Sequence, residues 1–291
     1  MKCGRDLTTA GIALLEAMDI FFSVNAFIPE TWTKLECAGA FFAVCVGLFI
    51  STTFACTVRR YFQKVFELAD LCGGHHLYVC FGDLFEAGEL FQKDGFGSIV
   101  ISVNRCFDTI VDDKLVSSST IHGKFLKRLE EQHVSRRAVA SCIQANLDDQ
   151  VKIDATLKPT RLAEKEKPEG NRDRYPPGMT AIFDPKELGL MDSCRYFLFG
   201  LSRFDEHLTA NTTEKEFQEA VCRMVEFFYN HSEGHPIALP LIGSGMSKTG
   251  IAPQQLFDYL VASVQLKKSR FSFDVYIVLT PNSRGQISVL R

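Results

Sequence analysis

Three short stretches set residues able to do chemistry at the end of an apolar, strand-like run. "VCFGDLFEAG" places Gly82, Asp83 and Leu84 directly after the first run, and "ISVNRCFDT" places Asn104, Phe107 and Asp108 after the second. "ALPLIGSGMSKTG" places Gly243, Ser244, Gly245 and Met246 after the third. Glycines permit positive φ and close backbone approach, so successive N–H groups at 243–245 can form a concave nest for an anion such as a phosphate. Ser244 adds a hydroxyl. The carboxylate of Asp83 suits a donor such as the exocyclic amine of adenine or a ribose hydroxyl. Asn104 offers a ribose both a donor and an acceptor, and Phe107 offers a stacking face. Each element also has a plainer reading. Gly-Ser-Gly and Gly-Asp are common turns, Asp108 suits a helix cap, and His122, on the first turn of a helix opened by "SSSTIHGKF", suits a core. The coincidence at three strand ends is what favours a single site.

The elements that must position these residues are legible as an alternation. A helical linker over 61–74 leads to glycines 73 and 74, and "HLYVCF" and "SIVISVN" then have the composition of strands. Ile121, Phe125 and Leu129 share one face of the next helix. Residues 157–178, rich in charge and proline, predict an exposed insertion; whether their arginines (Arg161, Arg172, Arg174) reach a ligand stays open beside the reading of a solvated loop. Strands resume with "MTAIF" and "RYFLFGLSRF". A helix over Glu214 to His231 carries Phe217, Val221, Met224, Val225 and Phe228 as its apolar stripe, followed by the strand "PIALPLI", a helix opening near Pro253 and a last strand "FDVYIVL". This order predicts a three-layer α/β/α domain over 75–291 with a largely parallel or mixed sheet, and ligands bind such sheets at the carboxyl ends of strands.

Composition sets the limits. The 291 residues, 46% apolar with 25 Phe, are ample for a packed core, and a net charge of −3 gives no reason to expect nucleic acid as a partner. Ten cysteines without a CxxC pair or zinc spacing read as buried thiols in a reducing compartment, with no metal implied. The N-terminus is different in kind. Ala38 to Val58 contains no charge, and its 21 residues span about 30 Å as a helix, the thickness of a bilayer's apolar core. Leu7 to Ile28 is of similar length but carries Glu16 and Asp19, three apart on one helical face. Pro29 and Trp32 lie between the two runs, and the pair predicts a transmembrane hairpin over residues 1–60, with two buried helices of a soluble protein as the alternative. Arg59, Arg60 and Lys64 after the second span, with Lys2 and Arg5 before the first, place both ends in the cytoplasm of a multi-pass protein of the cell membrane.

Taken together, "GDLF", "VNRCFDT", "STIHGKF" and "PLIGSG" resemble a divergent macro domain, a fold that recognises ADP-ribose and its derivatives. With the apolar N-terminus, the chain is similar to the membrane-anchored macro-domain effectors of type II Thoeris antiphage defence. The resemblance covers the anchor and residues from about 75 onward. It implies that Asp83 meets adenine, that Asn104 to Asp108 replace an asparagine-rich ribose loop, and that Gly243 to Met246 surround the diphosphate and distal ribose. It implies a ligand, histidine–ADP-ribose, made from NAD by a partner TIR-domain protein, with no further cofactor. It also implies homo-oligomers that disrupt the lipid bilayer, killing or arresting the infected cell. One departure matters: "NRCF" stands where ADP-ribose hydrolases carry "NAAN". That favours a binding role over turnover, with a membrane-tethered ADP-ribose hydrolase and a constitutive scaffold with a degenerate pocket as the alternatives.

Overall fold

The computed structural model describes residues 42–54, 64–91, 96–192, 194–245 and 247–289. The chain divides into two compact units, residues 1–63 and 64–291. In the first unit, residues 42–54 are helical and leave Phe42, Phe49, Ile50 and Phe54 exposed. Among the described residues no helix is long and apolar enough to cross a membrane. The predicted span 7–28, with Glu16 and Asp19, lies outside the described residues, as do both ends of the span 38–58.

The second unit is built on ten strands: β1 Val65–Asp70, β2 His76–Phe81, β3 Gly97–Asn104, β4 Thr160–Arg161, β5 Asp173–Arg174, β6 Thr180–Phe183, β7 Cys194–Phe204, β8 Ala210–Asn211, β9 Ile237–Pro240 and β10 Val275–Leu279. Its helices are α1 Ile121–Glu131, α2 Arg136–Ile153, α3 Glu214–His231 and α4 Pro253–Leu266. The main sheet runs β1-β2-β10-β9-β3-β7-β6, with β8 paired to β7, and β4 and β5 form a separate ribbon. Strands β2, β10, β9, β3 and β7 are mutually parallel, while β1 and β6 run antiparallel at the edges.

Side chains alternate across the central strands, and each face buries its own helices. Val100, Phe197, Phe199, Leu239, Val275 and Ile277 pack with the stripes of α3 and α4. Ile99, Ile101, Val103, Leu198 and Val278 pack on the other face with Phe125 and Leu129 of α1 and Val139, Ile143 and Leu147 of α2. The predicted three-layer mixed-sheet fold is therefore present.

Two expectations are corrected. The linker over 61–74 is not an α-helix where it is described: residues 65–70 form β1, which pairs with β2 around a short 3₁₀ turn, Cys72–Gly74, in which Gly73 and Gly74 take positive φ. Val65 and Phe66 suit a strand, and Phe66 sets its ring edge-on to Phe81 at 6.2 Å. The hydrogen bond from Phe81 N–H to the Lys64 carbonyl, 3.0 Å, fixes the point where the chain enters the sheet. The segment 157–178 is likewise not simply exposed. Leu162, Lys167 and Tyr175 are buried, and Lys167 is fully enclosed because a carboxylate waits for it inside.

Candidate ligand-binding edge of the sheet

The five parallel strands end on one rim, which gathers Gly82–Leu84 after β2, Asn104–Asp108 after β3 and the glycine loop after β9. Between β3 and β9 the ladder opens. Strand β9 pairs with β10 along its whole length, yet meets β3 only at Ser98↔Ile237 and Ile99↔Ala238. On its far side β3 stays paired to β7 as far as Asn104. Pro240 has no N–H with which to extend pairing. The two strands therefore part toward their carboxyl ends, the place where sheets of this kind take ligands.

The glycine loop forms one lip of that opening. Gly243 has φ +88° and is buried, and the Thr249 hydroxyl donates to its carbonyl at 3.1 Å. The Ser244 hydroxyl donates to the Leu241 carbonyl at 2.7 Å, so in this arrangement it shapes the loop. Gly245 is exposed, and a Cβ there would meet nothing within 4 Å, which leaves its backbone open to an approaching group. Met246 lies outside the described residues.

The other lip, residues 104–108, is held by its own polar groups. The Asn104 side-chain carbonyl accepts from the N–H of Cys106 at 3.0 Å and of Asp108 at 3.4 Å. Phe107 sits in the left-handed region at φ +53°, and its buried ring packs edge-on against Tyr175 at 5.6 Å. It presents the protein, not the opening, with its aromatic surface. The Asp108 carboxylate is also turned inward. It accepts from Lys167 Nζ at 2.8 and 3.1 Å and from Asn171 N–H at 2.7 Å, with its side chain 2% exposed. Burial pushes its pKa above the ordinary carboxylate value, against the opposing charge of Lys167.

Arg105 makes a second clamp. Its Nε donates to the Tyr175 carbonyl at 2.7 Å and its guanidinium pairs with Glu216 at 2.8 Å. Burial lowers its pKa, and Glu216 works against that shift. Glu216 closes a capping box with Thr213 at the start of α3 and also faces Arg203 at 3.5 Å. Burial acts to raise the Glu216 pKa; the Thr213 hydrogen bonds and the two arginine charges together outweigh it and bring the value down.

Of the remaining predicted residues, Gly82 donates its N–H to the Leu279 carbonyl at 2.9 Å. Asp83 is exposed and caps the short 3₁₀ helix Leu84–Leu90, with Oδ1 accepting from Phe85 N–H at 3.0 Å. Among the described residues no donor meets its second oxygen, which stays available to a base or sugar. Leu84 is buried beneath it. His122, in the first turn of α1, is buried, and desolvation lowers its pKa to about 3, so it is neutral. A recess of about 390 Å³ lies elsewhere, lined by Cys142, Asn146 and Asp149 of α2 and by Glu187. None of its lining residues belongs to the rim.

A family model described as "Thoeris protein ThsA, Macro domain" matches residues 77–280. The chain belongs to the Thoeris ThsA macro-domain family. The matched span takes in the five parallel strands, from Leu77 of β2 onward, and the α-helices α1 to α4. The "Thoeris protein ThsA" of Bacillus amyloliquefaciens (strain Y2) is 25% identical, over 98% of this chain and 88% of its own length. That similarity runs beyond the macro domain into residues 1–63. The residues that sequence reasoning missed around this macro-domain rim are Arg105, Lys167, Asn171, Tyr175 and Glu216. Only Glu216 had a signal, the T-x-x-E spacing from Thr213 that marks a capping box.

Proposed function

We propose that this macro domain is the sensing half of an antiphage effector, and that it binds an ADP-ribose-type signal at the rim between β3 and β9. The parted ladder carries this reading, with a glycine loop on one lip and a pre-shaped loop on the other. In this reading, the N–H groups of Gly243 and Gly245 receive the diphosphate, on either side of a Ser244 N–H that donates to the Leu241 carbonyl at 3.4 Å. The free oxygen of Asp83 receives adenine, and Asn104 borders the ribose through its amide NH2. Histidine–ADP-ribose, made by a TIR-domain partner, is the proposed ligand. Its capture stabilises a self-associated state by differential affinity, and residues 1–60 then disturb the membrane. The exposed apolar helix at 42–54 supports a lipid-facing role for that unit.

The domain acts by binding, without turnover. The hydrolytic alternative would orient water with Asn104 and Asp108, and Asn104 Oδ1 and both oxygens of Asp108 are already engaged by protein donors. Calorimetry of the purified full chain with ADP-ribose and with histidine–ADP-ribose tests the reading, followed by recovery of the ligand. Saturable binding with intact ligand after prolonged incubation is expected. Absence of binding to either compound defeats the sensing role, and released product transfers the assignment to a hydrolase.

A further inference from the structure

We propose that Lys167 is a positioning residue for the ligand loop, and that the segment from Leu162 to Tyr175 works as a strap holding residues 104–108 in their binding shape. The inference rests on the function proposed above, and it gives a role to Lys167, in a stretch whose composition suggested an exposed insertion. The strap grips the loop at each residue from Arg105 to Asp108. The Tyr175 N–H donates to the Arg105 carbonyl at 2.9 Å, the Asn171 side-chain amide donates to the Cys106 carbonyl at 2.8 Å, and the Tyr175 ring meets Phe107. The Asn171 N–H and Lys167 Nζ then fix Asp108, and Lys167 Nζ also donates to the Asn171 carbonyl at 2.7 Å. Lys167 is the centre of this arrangement, with its side chain wholly enclosed.

Packing beside the pair leaves no slack. A Cβ added at Gly170, where φ is +80°, would lie 2.3 Å from Asp108 Oδ1 and 2.7 Å from Lys167 Nζ. Such a lock does more than add stability. Residue 107 stands in a left-handed conformation that a phenylalanine does not hold unaided, and the Asn104 side-chain carbonyl spans the turn from Cys106 to Asp108 only while Asp108 stays in place. Loss of the lysine leaves a buried carboxylate without its counter-charge, which then protonates or moves toward water, and the loop goes with it.

The test compares the full chain with Lys167→Met, Asp108→Asn/Lys167→Met and a core control on α4, Val264→Ala. The readouts are ADP-ribose affinity, thermal midpoint and amide exchange over 104–108. In Lys167→Met, exchange at Cys106 and Asp108 rises and ADP-ribose affinity falls, each about tenfold or more. The double variant, which removes both charges and keeps an acceptor for Asn171 N–H, recovers most of the affinity. Val264→Ala lowers the thermal midpoint with affinity unchanged. Unchanged exchange at 104–108 in Lys167→Met overturns the inference and leaves the sensing role standing. So does a loosened loop with intact affinity, or an equal affinity loss in Val264→Ala. If the unaltered chain binds no ADP-ribose, the function proposed above fails by itself, and the exchange measurement still decides whether Lys167 holds the loop.

Discussion

At Gly243 the backbone stands at φ +88°, and a Cβ would meet Phe217, Thr249 and Leu256 at 3.0 to 3.2 Å. Gly243→Ala is therefore expected to lower unfolding free energy by about 1–2 kcal/mol in urea titration, through strain and crowding together. Two residues on, a side chain at Gly245 meets open space. Gly245→Asp should leave stability within about 0.5 kcal/mol of the unaltered chain. It should nonetheless abolish calorimetric binding of ADP-ribose, since a carboxylate then occupies the diphosphate position. Intact binding in Gly245→Asp removes the loop from the site. His122 supplies a pH signature. Its folded pKa of about 3 lies below the ordinary value of 6.5, so the unfolded chain binds the extra proton between those values. The contribution of neutral His122 is complete above about pH 6.5 and is lost as pH falls below it, by about 1.4 kcal/mol per pH unit. Denaturant titrations between pH 7 and 5 should show this slope, and His122→Gln should flatten it.

The start of α3 joins helix capping to the shape of the ligand loop, because one oxygen of Glu216 serves Thr213 while the other serves Arg105. Glu216→Ala should cost about 2–3 kcal/mol, combining a lost cap with an arginine left buried and unpaired. Thr213→Ala, which spares the arginine contact, should cost about 1 kcal/mol. Equal costs in denaturant unfolding contradict this division. The element itself was legible in sequence to the residue, since its stripe and its T-x-x-E opening agree. Strand β1 was not: "VFELAD" is too short for periodicity to separate strand from helix, and its pairing with β2 decides. Helix α2 escaped because it buries only Val139, Ile143 and Leu147, a stripe one residue wide amid polar neighbours. The strap escaped for another reason. A lysine in a charged run looks solvated until the fold brings Asp108, 59 residues away in sequence, against it.

For the whole molecule, the apolar stretches at the N-terminus and the macro domain make separable predictions. The chain is expected in the membrane fraction of cells, and Phe49→Lys, on the exposed surface of the 42–54 helix, is expected to weaken that association and abolish killing. ADP-ribose affinity should be unaltered by it. Recovery of the unaltered chain wholly in the soluble fraction defeats the anchoring. Adding histidine–ADP-ribose should raise the assembly size seen by light scattering, and Gly245→Asp should block the rise. The rim's location followed from three motifs at strand ends, because parallel topology gathers such ends on one side. Which side chains face a ligand did not follow. Phe107 and Asp108 have the right chemistry in the right loop, and long-range partners turn both inward.

Strand β1 runs opposite to its neighbour, so its first residues lie at the rim itself, with the Lys64 carbonyl bonded to Phe81 next to Gly82. Force applied at Val65 would peel β1 away one rung at a time, like a zip, starting at the rim. The converse meets the same geometry: whatever stiffens the Phe81–Gly82 corner tightens the first rung of β1, with no need for a change to cross the sheet.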